Sequence, residues 1–390
     1  MKVVESFWSE SVSQDFVRRL PGAGLRDQRS AVIGERVHLD LPMLFLILGI
    51  STYGLLILFS AGGQQIAPVA SQSVKIMVGT FAMVFAAQIP PVFYRRLAPW
   101  IFVVGLVMLA LIYIFGLDIK GSRRWLRIPG LISFQPSELM KLMLPLILAW
   151  YFHDRHLPPK LRHVFWSLVL IAVPVLLIAF QPDLGTSILI GASGLFVLLL
   201  SGIQWRIVFG AIGLSVALMP AFWFVLRDYQ RQRILTLLNP ENDPLGAGWN
   251  IIQSKTAIGS GGLFGKGLFE GTQSHLDFLP ESQTDFIIAV LAEELGLFGV
   301  AILLILYLLL VGRGVMLSVQ AQDTFGRLIC GSVTFTFFVY VFVNIGMVSG
   351  ILPVVGVPLP LVSSGGTSIV TLFVGFGIVM SIHTHRRISL

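Results

Sequence analysis

Four carboxylates and four cations stand out in an otherwise apolar sequence: Glu138, Asp183, Glu281 and Asp285, with Arg123, Arg124, Lys141 and Lys255. A carboxylate within hydrogen-bond reach of a hydroxyl can take its proton, typically worth about 10²- to 10⁴-fold in rate. Arginine and lysine stabilise the charge that builds on a departing diphosphate. Together these groups suit a reaction in which a hydroxyl attacks a carbon bearing a phosphate leaving group, as in a lipid-linked sugar donor. Asp285 is the expected centre, because it closes a polar segment, FLPESQTDFI, at the start of a long apolar run. An ordinary aspartate, with a pKa of about 4, is ionised at neutral pH and ready to accept a proton. The same groups would also suit a transporter whose charges bind cargo, and composition does not separate the two.

The elements that must position these residues are membrane helices. The chain has 390 residues, 55% hydrophobic and 12% charged, whereas a soluble domain carries about a quarter charged residues. A helix needs about 20 apolar residues to cross a bilayer, and apolar runs of suitable length lie near 41–61, 73–90, 97–117, 138–152, 165–180, 186–202, 207–226, 285–312, 328–350 and 368–382. The expected fold is therefore an all-α integral membrane protein of about ten transmembrane helices. Residues 1–40 form a cytoplasmic N-terminal segment, 41–382 a single membrane domain with an extracytoplasmic loop at 227–284 between helices 7 and 8, and 383–390 a cytoplasmic tail. Lys2, Arg18, Arg19, Arg26, Arg29 and Arg36 flank the first span and hold the amino terminus inside. Arg95, Arg96, Arg155, Lys160, Arg162, Arg206, Arg313, Arg327, Arg386 and Arg387 then fall on the same side. No removable secretion signal is expected.

Two outer segments carry basic residues against that bias. In 118–137, Lys120, Arg123, Arg124 and Arg127 would meet an anionic ligand or simply contact headgroups. Trp125 is either part of that site or an interfacial aromatic anchor. The segment 227–284, with Lys255, Lys266, Glu270, Asp277 and Glu281, is too long for an ordinary connection. It reads as an ordered cap with short helices, or as a linker to a partner.

Inside the spans the signals are local. Glu138 and Lys141 are three apart and share a helix face, where they can pair. Asp183 either caps the sixth span or contacts ligand. Of Glu293 and Glu294, one is expected to face a polar interior while the other caps or snorkels. Pro353, Pro358, Pro360, Gly365 and Gly366 forbid a regular helix, so ILPVVGVPLPLVSSGGTS (351–368) should be irregular backbone at membrane depth, tolerated where it is buried in protein or lines a cavity. Ser363, Ser364, Thr367 and Ser368 are its candidate donors. GSGGLFGKG lacks the Ser or Thr of a phosphate-binding loop. The single Cys330 allows no intrachain disulfide.

Read together, GSRRWL, FQPSELMK, QPDLGTS, DYQRQRI, NPENDPLGAGWNIIQSK, AIGSGG with GKG, FLPESQTDFI with AEELG, and VNIGMVSGILPVVGVPLPLVSSGG resemble the SEDS family (shape, elongation, division and sporulation), most closely its RodA branch. The resemblance runs from about residue 37 to about 387 in the family's order. It implies a ten-helix peptidoglycan glycosyltransferase that polymerises lipid II at the periplasmic face of the bacterial inner membrane, partnered by a class B penicillin-binding protein that crosslinks the product. It carries the family's essential acidic residue onto Asp285 and its motif tryptophan onto Trp125, and matches Glu138, Lys141 and Asp183 to further motif positions. Arg123, Arg124, Lys141 and Lys255 are the candidate diphosphate holders, Glu281 a further substrate-binding candidate. A divalent cation, magnesium or manganese, near the acidic cluster belongs to the same expectation; a nucleotide does not. Gln283, Ser364 and Ser133 depart from the family's usual residues at their positions, and none removes a proposed catalytic group. The rival readings are a lipid II flippase, which would bind near mid-membrane and often between internal repeats, and a scaffold that only recruits crosslinking enzymes.

Overall fold

The computed structural model describes residues 37–119, 122–127, 133–226, 228–242, 246–272 and 281–385, and each of the ten apolar runs is helical in it. The first three helices are α1 (Leu41–Ala61), α2 (Ile66–Gln88) and α3 (Pro91–Phe115), and α4 (Pro136–His153), α5 (Leu161–Phe180), α6 (Leu184–Leu200) and α7 (Trp205–Val225) follow. After the polar segment come α10 (Ile287–Gln320), α11 (Thr324–Val348) and α12 (Thr367–Thr384). The polar segment itself holds α8 (Asp228–Leu238), a 3-10 turn (Pro240–Asn242) and α9 (Ala247–Gly261), so it is built of the short helices expected of an ordered cap. Asp277, Lys120, the N-terminal basic residues up to Arg36, and Arg386 and Arg387 lie outside the described residues.

Among the described residues seven helices, α1, α2, α3, α5, α10, α11 and α12, are long and apolar enough to cross a membrane. Leu184–Leu200 and Trp205–Ala221 are shorter apolar stretches, and α4 carries Glu138 and Lys141 in its first two turns. The chain is a multi-pass, all-α membrane protein. One element departs from the helical expectation. Part of the outer segment 118–137 is a small antiparallel sheet of β1 (Leu117–Ile119), β2 (Ser122–Arg127) and β3 (Ser133–Phe134), in the order β1-β2-β3. Trp125 pairs with Leu117, and Leu126 with Phe134. Strands of two to six residues form no apolar run of their own, so local hydropathy does not mark them.

Most of α11 and α12 is buried, and α12 packs along α2 while α11 packs against α4, α6 and α10. Phe337 and Phe376 meet edge to face in this core, ring centroids 5.3 Å apart. The outer helices turn apolar side chains outward, including Trp100, Val103 and Ile114 of α3 and Phe209, Val216 and Met219 of α7. Hydrocarbon is the solvent that tolerates such a surface. At one end of the bundle Asp40 caps α1 by accepting from the Met43 N–H at 3.0 Å. The same carboxylate accepts two hydrogen bonds from Arg313 of α10, at 3.1 and 2.5 Å, and lies 3.7 Å from Nε2 of His383 on α12. The start of α1 and the end of α12 are thereby tied to α10, two turns before its own end.

Candidate functional site

Residues 350–366 have no regular secondary structure, so their backbone polar groups need partners outside a helix or sheet. The partners come from all sides. Tyr307 donates to the Pro360 carbonyl at 2.6 Å, and the Gln72 side-chain amide donates to the Ser363 carbonyl at 2.8 Å. The Ser363 hydroxyl accepts from the Leu359 N–H at 2.8 Å and donates to the Thr284 carbonyl at 2.5 Å. The Ser364 N–H donates to the Gln283 carbonyl at 2.9 Å. The last two bonds bind this segment to the turn 281–286, which ends as α10 begins. Asp285 is half-buried at the end of that turn, as are the three residues before it, and is followed by the buried Phe286. A Cβ on Gly356 would lie 3.5 Å from Oδ2 of Asp285, and Gly356 has φ +72. Glycine supplies that left-handed backbone, and a Cβ there would meet the carboxylate only at ordinary contact distance.

The small sheet is fastened to the same segment at two points. Asp183 is buried and caps α6, accepting from the Thr186 N–H at 3.2 Å. Its carboxylate also accepts from the Gln135 side chain at 2.9 Å and lies 3.6 Å from Nη1 of Arg124, whose guanidinium donates to the Pro182 carbonyl as well. Two residues on, a Cβ on Gly185 would lie 2.8 Å from the Val355 carbonyl oxygen. Trp125 reaches the other end, its indole 3.5 Å from where a Gly366 Cβ would be. Of the two alternatives for Asp183 the cap is realised, and Arg124 is held on it. The Arg123 side chain lies outside the described residues.

Glu138 and Lys141 form the predicted pair, 2.6 Å apart and buried, with the ammonium 4.4 Å above the Tyr340 ring. They line a cavity between α4, α11 and α12 that also includes Thr336 and Ser368. A second cavity shares Tyr340, Ser368 and Leu372 with it and is walled by Pro358, Pro360 and Ser363. The ion pair thus lies behind the irregular segment whose other contacts hold Asp285. Glu138 and Lys141 are therefore not on a surface shared with the exposed Lys255 and Glu281.

Lys255 and Glu281 are exposed. Lys255 lays its side chain against Gly350, where a Cβ would lie 2.3 Å from Cε, and Ser254 donates to the Val348 carbonyl at 2.8 Å. These contacts seat α9 on the end of α11. The Glu281 carboxylate accepts from the Thr284 hydroxyl at 2.8 Å within its own turn.

The expectation for Glu293 and Glu294 is overturned: neither caps nor snorkels, and both are wholly buried. Glu293 pairs with Lys266 at 2.6 Å and accepts from Thr272 at 3.0 Å, while Glu294 accepts from Ser60 at 2.5 Å. Two residues later α10 breaks at Gly296, φ +64. The loop after α9 fills the break: the Lys266 and Gly267 N–H groups donate to the Glu293 and Glu294 carbonyls, and the Leu297 and Phe298 N–H groups donate to the Gly262 and Leu263 carbonyls, all at 3.0 Å. A helix interrupted at its carbonyls exposes acceptors that another backbone must satisfy. The glycines of GSGGLFGKG let that backbone come close enough. This docking, and the role of Gln72, were not read from the sequence, because no local spacing links residues so far apart.

Among the described residues no group of three or more His, Cys, Asp or Glu side chains could hold a metal ion. No chemical step is assigned to the expected divalent cation.

The comparisons agree with this architecture. Residues 40–388 match the family model FTSW_RODA_SPOVE, described as cell cycle protein. The chain is 54% identical over 354 residues to the peptidoglycan glycosyltransferase MrdB of Escherichia coli K12, covering 90% of this chain and 95% of that one. It is 34% identical over 362 residues to the probable peptidoglycan glycosyltransferase FtsW of Geobacter metallireducens, covering 89% and 95%. A solved chain from a peptidoglycan synthase complex that coordinates polymerization and crosslinking superposes with a TM-score of 0.79 at 30% identity, over 89% of this chain and 99% of that one. The rod shape determining protein RodA of Thermus thermophilus superposes at 0.67 with 28% identity, over 88% and 96%. With the family model spanning nearly the whole bundle and the irregular segment falling inside the match, this chain belongs to the FtsW, RodA and SpoVE family of cell cycle proteins.

Proposed function

We propose that this chain is a peptidoglycan glycan-strand polymerase, an inverting glycosyltransferase that joins lipid II units during cell elongation and rod-shape maintenance. The observation that carries the reading is the placement of Asp285: a half-buried carboxylate on a turn locked by Ser363 and Ser364 to the irregular segment 350–366. The named activity of the relatives MrdB and FtsW supports it.

In this mechanism Asp285 accepts the proton of the sugar 4-hydroxyl on an acceptor lipid II as that oxygen attacks the anomeric carbon of the growing chain. The bond from that carbon to the diphosphate breaks, its electrons leave with undecaprenyl diphosphate, and the configuration inverts. Trp125, Arg124, Lys255 and Glu281 are the substrate contacts on the outer side of the segment. Arg123 is assigned with them from its place beside Arg124. Glu138 and Lys141 act from the cavity behind, and Asp183 acts by holding Arg124.

The reading includes ten crossings of the bacterial inner membrane, both termini in the cytoplasm and the site on the periplasmic side. The basic residues on the cytoplasmic connections support that orientation. A class B penicillin-binding protein is the proposed partner, supported by the match to a chain from a complex that coordinates polymerization with crosslinking.

The test is polymerisation of purified lipid II in detergent by the wild type and Asp285→Asn, with and without the partner. The expected result is glycan strands from the wild type and none from a folded Asp285→Asn. Near-normal strands from that variant would remove Asp285 from the mechanism. Scrambling of labelled lipid II in vesicles without product would favour a carrier instead.

A further inference from the structure

Asn344 stands on α11, one turn before its end, and is wholly buried. Its side-chain nitrogen donates to two main-chain carbonyls, that of Asp285 at 2.8 Å and that of Val357 at 2.7 Å. Both neighbours are acceptors, so the amide must present its nitrogen to them. The oxygen Oδ1 is then left buried with no hydrogen-bond partner among the described residues. Burying an unpaired polar atom is unfavourable, and each such atom in a folded protein calls for a reason.

The reason lies in what the two carbonyls belong to. One is on the residue that carries the carboxylate, and the other is on the residue after Gly356, whose backbone passes beside Oδ2 of that carboxylate. Asn344 therefore links the Asp285 main chain to the segment that passes beside its carboxylate, and it does so from a packed helix rather than from a loop. Leucine would fill the same volume but leave both carbonyls without a donor. A carboxylate would set negative charge against two carbonyl oxygens. Neither Ser363 nor Ser364 can replace it, since they hold Thr284 and Gln283, on the other side of the turn.

We propose that Asn344 is a positioning residue for the transfer reaction, clamping the Asp285 main chain to the Val357 main chain so that the carboxylate meets the acceptor hydroxyl at bonding distance. The inference rests on the reading of Asp285 as the base. It acts through Asp285 and touches no substrate.

The experiment measures initial rates of lipid II polymerisation by the full-length chain with its partner, against lipid II concentration and pH. The proteins are the wild type, Asn344→Leu and Asn344→Asp, with melting temperature recorded for each. A displacement of about 1 Å can cost about a hundredfold in rate. Asn344→Leu is expected to lose at least about tenfold in kcat while KM stays within about twofold, the split that misplacement of a reacting group produces. In Asn344→Asp, the introduced buried carboxyl takes up a proton more readily than a free one, and the protonated form regains one O–H donor for a carbonyl. Its activity relative to the wild type should therefore rise as pH falls from about 8 to about 6. A wild-type kcat in Asn344→Leu, or a flat or falling ratio in Asn344→Asp, overturns the inference. If Asn344→Leu does not fold, the pH ratio decides alone. A wild type that makes no glycan overturns the polymerase reading and this inference with it, whereas an active wild type with a flat ratio overturns only the role of Asn344.

Discussion

Nζ of Lys266 lies 2.6 Å from Oε1 of Glu293, a carboxylate with no exposed side-chain surface. The pair joins the loop after α9 to α10 three residues before the break at Gly296. α10 begins just after the turn that holds Asp285, and α9 carries Lys255, so this contact helps fix α9 relative to α10 and the turn before it. The buried charge makes the contact selective: Glu293 is tolerated because Lys266 and Thr272 meet it.

Removing the cation alone should therefore be costly. Lys266→Met is expected to destabilise the protein by about 2 kcal/mol, less than the figure for a fully buried pair because the ammonium keeps contact with water. Lys266→Met with Glu293→Leu should recover part of that loss, since no charge is then left buried. Thermal unfolding in detergent measures both; a double variant no more stable than the single one would mean that the charge pair is not what docks the loop.

The Glu138 and Lys141 pair can be separated from its surroundings in the same way. Glu138→Leu leaves a buried ammonium and is expected to cost about 3 kcal/mol, and adding Lys141→Met should restore most of it. Polymerase activity of the double variant then distinguishes two roles. Stability that returns without glycan synthesis assigns the pair to the substrate, and activity that returns with stability assigns it to packing.

A pH dependence should arise at the end of the bundle opposite the site. His38 and His385 stack with ring centroids 3.9 Å apart, and burial first, then the charge of His385, lowers the His38 pKa below its ordinary value. The unfolded chain thus binds a proton here more readily than the folded one. The contribution of neutral His38 is fully present above the unfolded value of about 6.5 and is lost as pH falls through that value toward the lower folded one. Melting temperature should decline between about pH 7.5 and about pH 5.5, and His38→Asn, which tolerates the left-handed backbone at this position (φ 51), should flatten the decline. An unchanged slope in that variant would place the sensitivity elsewhere.

The sequence by itself determined the membrane class, the location of every apolar helix, the irregular stretch after α11 and the pairing of Glu138 with Lys141. Each follows from local rules: the length of an apolar run, the inability of proline to continue a helix, and the three-residue spacing that puts two side chains on one face. Asp285 stood out for the same kind of reason, as an acid at the boundary of a polar segment and a span. Only the tertiary structure decided which partners satisfy the buried polar groups. Glu293 and Lys266 are 27 residues apart, Asn344 and Asp285 59, Gln72 and Ser363 291, and no periodicity relates such positions. In a bundle without water every broken helix must find donors and acceptors in another part of the chain. Which part answers is set by how the helices pack, and that packing turns an acid legible in the sequence into a carboxylate held in one place.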